Sequence, residues 1–162
     1  MSQSSADRPG VITFPPIIGL AAIALAVILQ WLVPLGAMQR IGPAWRTDIG
    51  MAIAIAGLLV ACGGARTLVG RGTNVNPMLP SLALATAGIY RFTRNPMYVG
   101  GTALLIGLAF AFGLDWLPLL AIPAVLVLHF GVVRREERYL ERKFGQAYLD
   151  YRARVPRYVW PI

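Results

Sequence analysis

The sequence predicts an all-α, polytopic membrane protein, and three observations carry that expectation. Four apolar stretches, at about 17–35, 49–69, 97–113 and 116–133, approach or reach the roughly 17–25 helical residues needed to cross a hydrocarbon core. The chain is 57% hydrophobic and 14% charged, against roughly 25% charged residues in a soluble domain. Its cations are unevenly placed. Arg8, Arg66, Arg71, Arg91, Arg94 and eight more from Arg134 onward share one face of a four-span topology, and only Arg40 and Arg46 fall on the other. The positive-inside rule assigns the first face, with both termini and the 66–96 loop, to the cytoplasm. The net charge of +8 then reads as basic loops beside anionic lipid. Nucleic acid is not an expected partner, because no recognition motif is present.

Each element has a local reason. The first span is longer than the apolar core of a signal peptide and lacks a small-residue cleavage cue, so it is expected to be mature structure. After the second span, Gly70 to Pro77 is a loop by composition. It has no Gly-Lys-Ser/Thr and no preceding strand, so it is not a phosphate loop. Ser81 is placed to cap a short helix over 82–87, which Gly88 ends. Asn95-Pro96 reads as N-cap and first helical position of the third span. That helix start suits either an interfacial anchor or an anionic ligand. Gly113-Leu114-Asp115 allows only a tight turn, so the last two spans form an antiparallel hairpin. Pro118 is tolerated near a helix start, whereas Pro123 predicts a kink. The fourth span continues as a charged helix through 134–141, and a C-terminal helix follows on the cytoplasmic side. The chain divides into a two-helix membrane segment, 1–72, and a hairpin with its tail, 73–162.

The polar residues of this apolar chain concentrate in two stretches flanking the hairpin, 88–98 and 136–151. Polar groups beside a membrane are costly to retain, which marks both as candidate functional segments. A metal centre is not expected, since Cys62 and His129 are single and far apart in sequence. On the helix after the fourth span, Glu137 has Arg134 three residues back, and Arg138 pairs with Glu141 in the same way. Those are expected as solvated surface pairs. Glu136 has only Val132, Val133, Tyr139 and Leu140 at helical spacing, so it lies on an apolar stripe and needs a partner from elsewhere. Arg94 or a cationic ligand is the candidate. His129, seven residues before Glu136, is expected to be neutral and bonded to a backbone carbonyl; proton acceptance is the alternative. The tail from Phe144 to Pro161 alternates aromatic and basic residues and reads as an interfacial helix or as a lid.

The chain resembles the isoprenylcysteine carboxyl methyltransferase family, and with it the wider group of small integral-membrane methyltransferases that includes the phospholipid methyltransferases. The shared residues are Gly88 and Tyr90, Arg94-Asn95-Pro96-Met97-Tyr98, Glu136-Glu137, Phe144-Gly145 with Tyr148 and Tyr151, and Val155 with Arg157. They span roughly residues 73–157. The resemblance implies S-adenosylmethionine as methyl donor, bound on the cytoplasmic side without a Rossmann domain. It implies cofactor contacts from Leu82, Ala83, Leu84 and Ala85, from Tyr90, and from Asn95, Pro96, Met97, Tyr98 and Glu136. Glu136 and Arg94 are the catalytic candidates. Two positions depart from the pattern: Val132 stands where the prenylcysteine enzymes carry a substrate-binding Arg, and Asn95 where His is usual. The expected function is methyl transfer to a lipophilic carboxylate, thiol or amine. The rival expectations are an NADPH-dependent membrane reductase of the sterol-reductase-like type and a non-catalytic membrane scaffold.

Overall fold

A computed structural model describes residues 7–159. Its helices are α1 (Pro15–Leu32), α2 (Pro43–Gly70), α3 (Pro96–Phe112), α4 (Trp116–Leu128), α5 (Arg134–Phe144) and α6 (Gln146–Arg154), with one π-turn, His129–Val133, joining α4 to α5. No strand occurs among the described residues. Proline occupies the first turn of α1, α2 and α3, where its missing N–H is not needed and its φ is already helical. Gly113, at φ 65°, ends α3 in the left-handed conformation and allows the immediate reversal into α4.

α1, α2 and the continuous α4–α5 helix are long and apolar enough to cross a membrane, and α3 is a shorter apolar helix of 17 residues. At 1.5 Å per residue α3 spans about 25 Å, a little less than a hydrocarbon core. Trp31, Leu59 and Ile122 are 83%, 67% and 62% exposed on the outside of the bundle. This outward apolar surface is that of an integral membrane protein, with lipid as its solvent. The apolar part of the last long helix stops at Val133, and the charged residues from Arg134 lie beyond it.

The tightest packing is between α2 and α3, which run antiparallel. Gly50, Gly57 and Gly64 recur every seven residues on α2, and Gly100 and Gly107 do the same on α3. A Cβ at Gly57 would stand 2.6 Å from the carbonyl oxygen of Gly100. Only small residues allow two backbones to approach this closely, which is the means by which helices attract each other in lipid. α1 packs instead on α4, around Ala22, Ala26, Leu105, Ala109 and Leu117.

Asp115 closes the end of the bundle remote from the termini. Its carboxylate accepts the N–H groups of Met38 (2.6 Å) and Gly36 (3.0 Å) and the Gln30 amide (3.1 Å). Burial alone would raise its pKa, but these donors outweigh burial and hold it below the usual value.

The short helix expected over 82–87 does not form. The start of the run is instead held by tertiary hydrogen bonds: Ser81 N–H bonds to the Tyr139 hydroxyl at 3.0 Å, and Leu82 N–H to Thr73 Oγ1 at 2.8 Å. Tertiary partners override the helix propensity of this alanine- and leucine-rich run. Asn95 precedes α3 as expected, but its side chain does not cap the helix. Its amide donates instead to the Arg157 carbonyl at 3.1 Å.

Candidate functional site

The two polar stretches meet at the end of the bundle that carries both described termini. The 3-10 turn Gly88–Arg91 with the start of α3, the loop over 73–85, α5 and α6 form its walls. Tyr148 and Tyr151 of α6 are buried against Tyr90, Ala85 and Val155. The Tyr151 hydroxyl donates to the Tyr90 carbonyl at 2.8 Å. This aromatic cluster fastens α6 onto the first stretch and fixes the width of the cleft between them.

The adjacent glutamates have different partners. The Tyr98 hydroxyl donates to Glu136 Oε2 at 2.8 Å. Burial pushes the Glu136 carboxyl up to about 7; the Tyr98 bond opposes the rise and the Glu137 charge adds to it. Glu137 lies between two cations. Arg94 approaches Oε1 at 3.1 Å, and Arg157 binds in bidentate fashion with Nη2 at 2.8 Å from Oε2 and Nε at 3.0 Å from Oε1. The Glu137 side chain is 9% exposed and that of Arg94 7%. The surface pair expected between Glu137 and Arg134 is therefore replaced by a triad in which Glu137 and Arg94 are buried and Arg157 is partly exposed, and Arg94 serves Glu137, not Glu136. Glu141 pairs with Arg152 at 3.0 Å and not with Arg138. Helical spacing sees only partners within one helix, and Arg157 arrives from twenty residues downstream.

The tail over 155–159 is irregular, with successive bends, and is stitched to the first stretch. Arg94 N–H donates to the Pro156 carbonyl at 2.9 Å, and the Thr93 hydroxyl to the Arg157 carbonyl at 3.0 Å. Tyr158 reaches His129, with 2.8 Å between its hydroxyl and Nδ1. The backbone partner expected for His129 is thus a tyrosine hydroxyl. Trp160 and Pro161, counted in the expected tail, lie outside the described residues.

Of the residues named from the sequence, Ala83, Leu84, Ala85, Tyr90, Arg94, Asn95, Met97, Tyr98 and Glu136 line this cleft. Its non-atom space is about 620 Å³ including the open mouth. Leu82 points outward at 65% exposure, and Pro96 is fully buried against α2 beside Gly64. Glu137, Leu140, Tyr148, Tyr151, Thr73 and Asn74 also line the cleft and were not among the expected site residues. The tyrosines were in view as motif residues; Thr73 and Asn74 carry no local signal. A second, larger cavity, with about 1380 Å³ of non-atom space including its open side, opens along the bundle between α1, α2, α3 and α4. Its lining is apolar, with Ile18, Ile23, Leu104, Leu105 and Val125 among its walls. Met97 and Tyr98 belong to both cavities.

Residues 45–147 match the family model described as Phospholipid methyltransferase. Neither a curated protein nor a solved structure matches the chain. The matched region exceeds half of the sequence and runs from the start of α2 through the cleft-forming α5, so the chain belongs to the phospholipid methyltransferase family.

Proposed function

We propose that the protein is an S-adenosylmethionine-dependent methyltransferase acting on a lipophilic acceptor at the cytoplasmic face of a membrane. The observation that carries this reading is the meeting of a polar cleft and an apolar lateral groove at Met97 and Tyr98, beside Glu136. A water-soluble donor and a membrane-soluble acceptor can reach that junction from different phases. The 13-to-2 distribution of cations read from the sequence supports the cytoplasmic placement of the cleft.

The cleft suits the cofactor chemically. Tyr90, Tyr148 and Tyr151 offer aromatic surface, Glu136 a carboxylate for a cation, and Arg94 a buried Nε with no partner among the described residues. S-adenosylmethionine supplies a methyl group on a sulfonium, and transfer requires an acceptor lone pair held in line with it. Tyr98 orients the Glu136 carboxylate at the junction. The groove aligns the acceptor's hydrocarbon part, and the packed walls of the cleft exclude water.

The acceptor head is read from charge. Val132 is fully buried in the cluster with Tyr98 and Val133, so no cation stands there to receive a carboxylate. Glu136, hydrogen-bonded to Tyr98, is the carboxylate at the junction. It favours an amine, whose proton it can take before the nitrogen lone pair is used. Calorimetric titration of the detergent-solubilised protein with S-adenosylhomocysteine, alongside transfer of labelled methyl groups into a membrane lipid extract, tests the proposal. Binding and a labelled amine lipid are expected. Binding of NADPH without S-adenosylhomocysteine would overturn it in favour of a reductase, and binding of neither would favour a scaffold.

A further inference from the structure

Two guanidinium groups, the buried Arg94 and the partly exposed Arg157, share one carboxylate, Glu137. A one-to-one pair would be neutral, so this triad carries a surplus positive charge within the wall of the cleft. Arg94 is the member that lines the cleft. Its Nη1 is occupied by Glu137 at 3.1 Å and the Tyr148 hydroxyl at 3.2 Å. Its Nε is buried and without a partner among the described residues. Burying a guanidinium N–H without an acceptor is costly. Arg46 also has a buried, unpartnered Nε, but it lines neither cavity. Arg94 alone combines the unused donor, the surplus charge and access to a site.

We propose that Arg94 is a carboxylate-binding residue, taking the α-carboxylate of the S-adenosyl amino acid, and that Arg157 keeps it available by sharing Glu137. The inference rests on the proposed cofactor and adds which chain residue reads its amino-acid end. Without Arg157, Glu137 would neutralise Arg94 completely. With it, the bidentate contact from Arg157 satisfies most of Glu137, and Arg94 retains charge for a second anion. Arg157 acts through Glu137 and is a positioning residue. Its carbonyl, which accepts from Thr93 and Asn95 on either side of Arg94, anchors the backbone that carries the guanidinium.

The test compares the affinities of S-adenosylhomocysteine and its decarboxylated analogue for the full chain in detergent. Both ligands keep the adenosine, the thioether and the amine, and they differ only in the carboxylate. The wild-type protein should prefer S-adenosylhomocysteine by about tenfold or more, the scale of a charge-assisted bidentate contact. Arg94→Lys, which keeps the charge but lacks Nε, should reduce that ratio to within about threefold while still binding the decarboxylated analogue, since an ammonium cannot reproduce the guanidinium fork. If Arg94→Lys binds neither ligand, Arg157→Gln decides: a fall in the ratio supports the assignment and an unchanged ratio overturns it. Equal wild-type affinities, or an unchanged ratio in Arg94→Lys, would overturn the role of Arg94 and leave the cofactor proposal standing. Absence of S-adenosylhomocysteine binding by the wild type would overturn both.

Discussion

The cleft around Glu136 and the clamp around Glu137 are built from neighbouring carboxylates and differ in how completely each is satisfied. Glu137 receives two guanidinium groups, one of them bidentate, so both of its oxygens are engaged by cations. Glu136 has one hydroxyl donor and a cavity in front of it. A buried charge with all its partners holds structure together. A buried charge kept short of partners raises the free energy of the folded protein and is retained where a ligand completes it. On this reading the clamp maintains the geometry that leaves the cleft unsatisfied.

The strongest way to break the comparison is to open the clamp. Glu137→Ala leaves the buried Arg94 beside Arg157 without their shared carboxylate and should destabilise the protein by about 3–5 kcal/mol, the usual cost of removing one partner of a buried pair. Thermal unfolding in detergent measures this, and a loss below about 1 kcal/mol would show the triad to be solvated. Glu136→Gln should leave the fold intact and lower methyl transfer by about 100-fold, as expected for loss of a positioned proton acceptor. Activity within about threefold of wild type would remove Glu136 from the chemistry.

Acidity separates the two carboxylates further. The folded-state pKa of Glu136, about 7, lies above its ordinary 4.5. The anionic form therefore appears only as pH rises through about 7, and it costs the folded state stability there. Methyl transfer to an amine should increase between pH 6 and 8 in the wild type, and Glu136→Gln should abolish that increase. The same variant should unfold at an equal or higher temperature than wild type at pH 8; a lower one would mean that the carboxylate is stabilising. The smallest effect is expected from Tyr98→Phe. Removing its hydrogen bond to Glu136 should lower activity by about tenfold, given about 1.5 kcal/mol for a bond to a charged group. It should also move the pH midpoint upward, since the bond favours the anion. A midpoint that stays in place would place the Tyr98 hydroxyl outside the titration.

Much of this was legible in the sequence because it depends on local chemistry. Pro96 and Gly113 mark the ends of α3 through their own φ preferences. The glycines spaced by seven on α2 and α3 could also have been read as a packing seam. The expected helix over 82–87 is absent, and the start of that run is held instead by Tyr139 and Thr73, distant partners that no local propensity reports. The π-turn at His129–Val133 escaped notice for a related reason. Its extra residue makes room for Ile12, whose N–H bonds to the Gly131 carbonyl at 3.1 Å and whose side chain packs where Gly131 lacks a Cβ.

By itself the sequence determined that this protein is a bundle of apolar helices ending in a tight hairpin, and that Glu136 lacks a partner within its own helix. Those properties follow from hydropathy, φ preference and spacing within one helix, which act between residues close in the chain. Only the tertiary structure decided that Glu137 is the buried ion, that Arg94 belongs to it and that the polar cleft adjoins the apolar groove. Each of these joins residues from different segments, 20 or more positions apart, and the free energy of such a contact depends on an approach and a desolvation that no local pattern encodes.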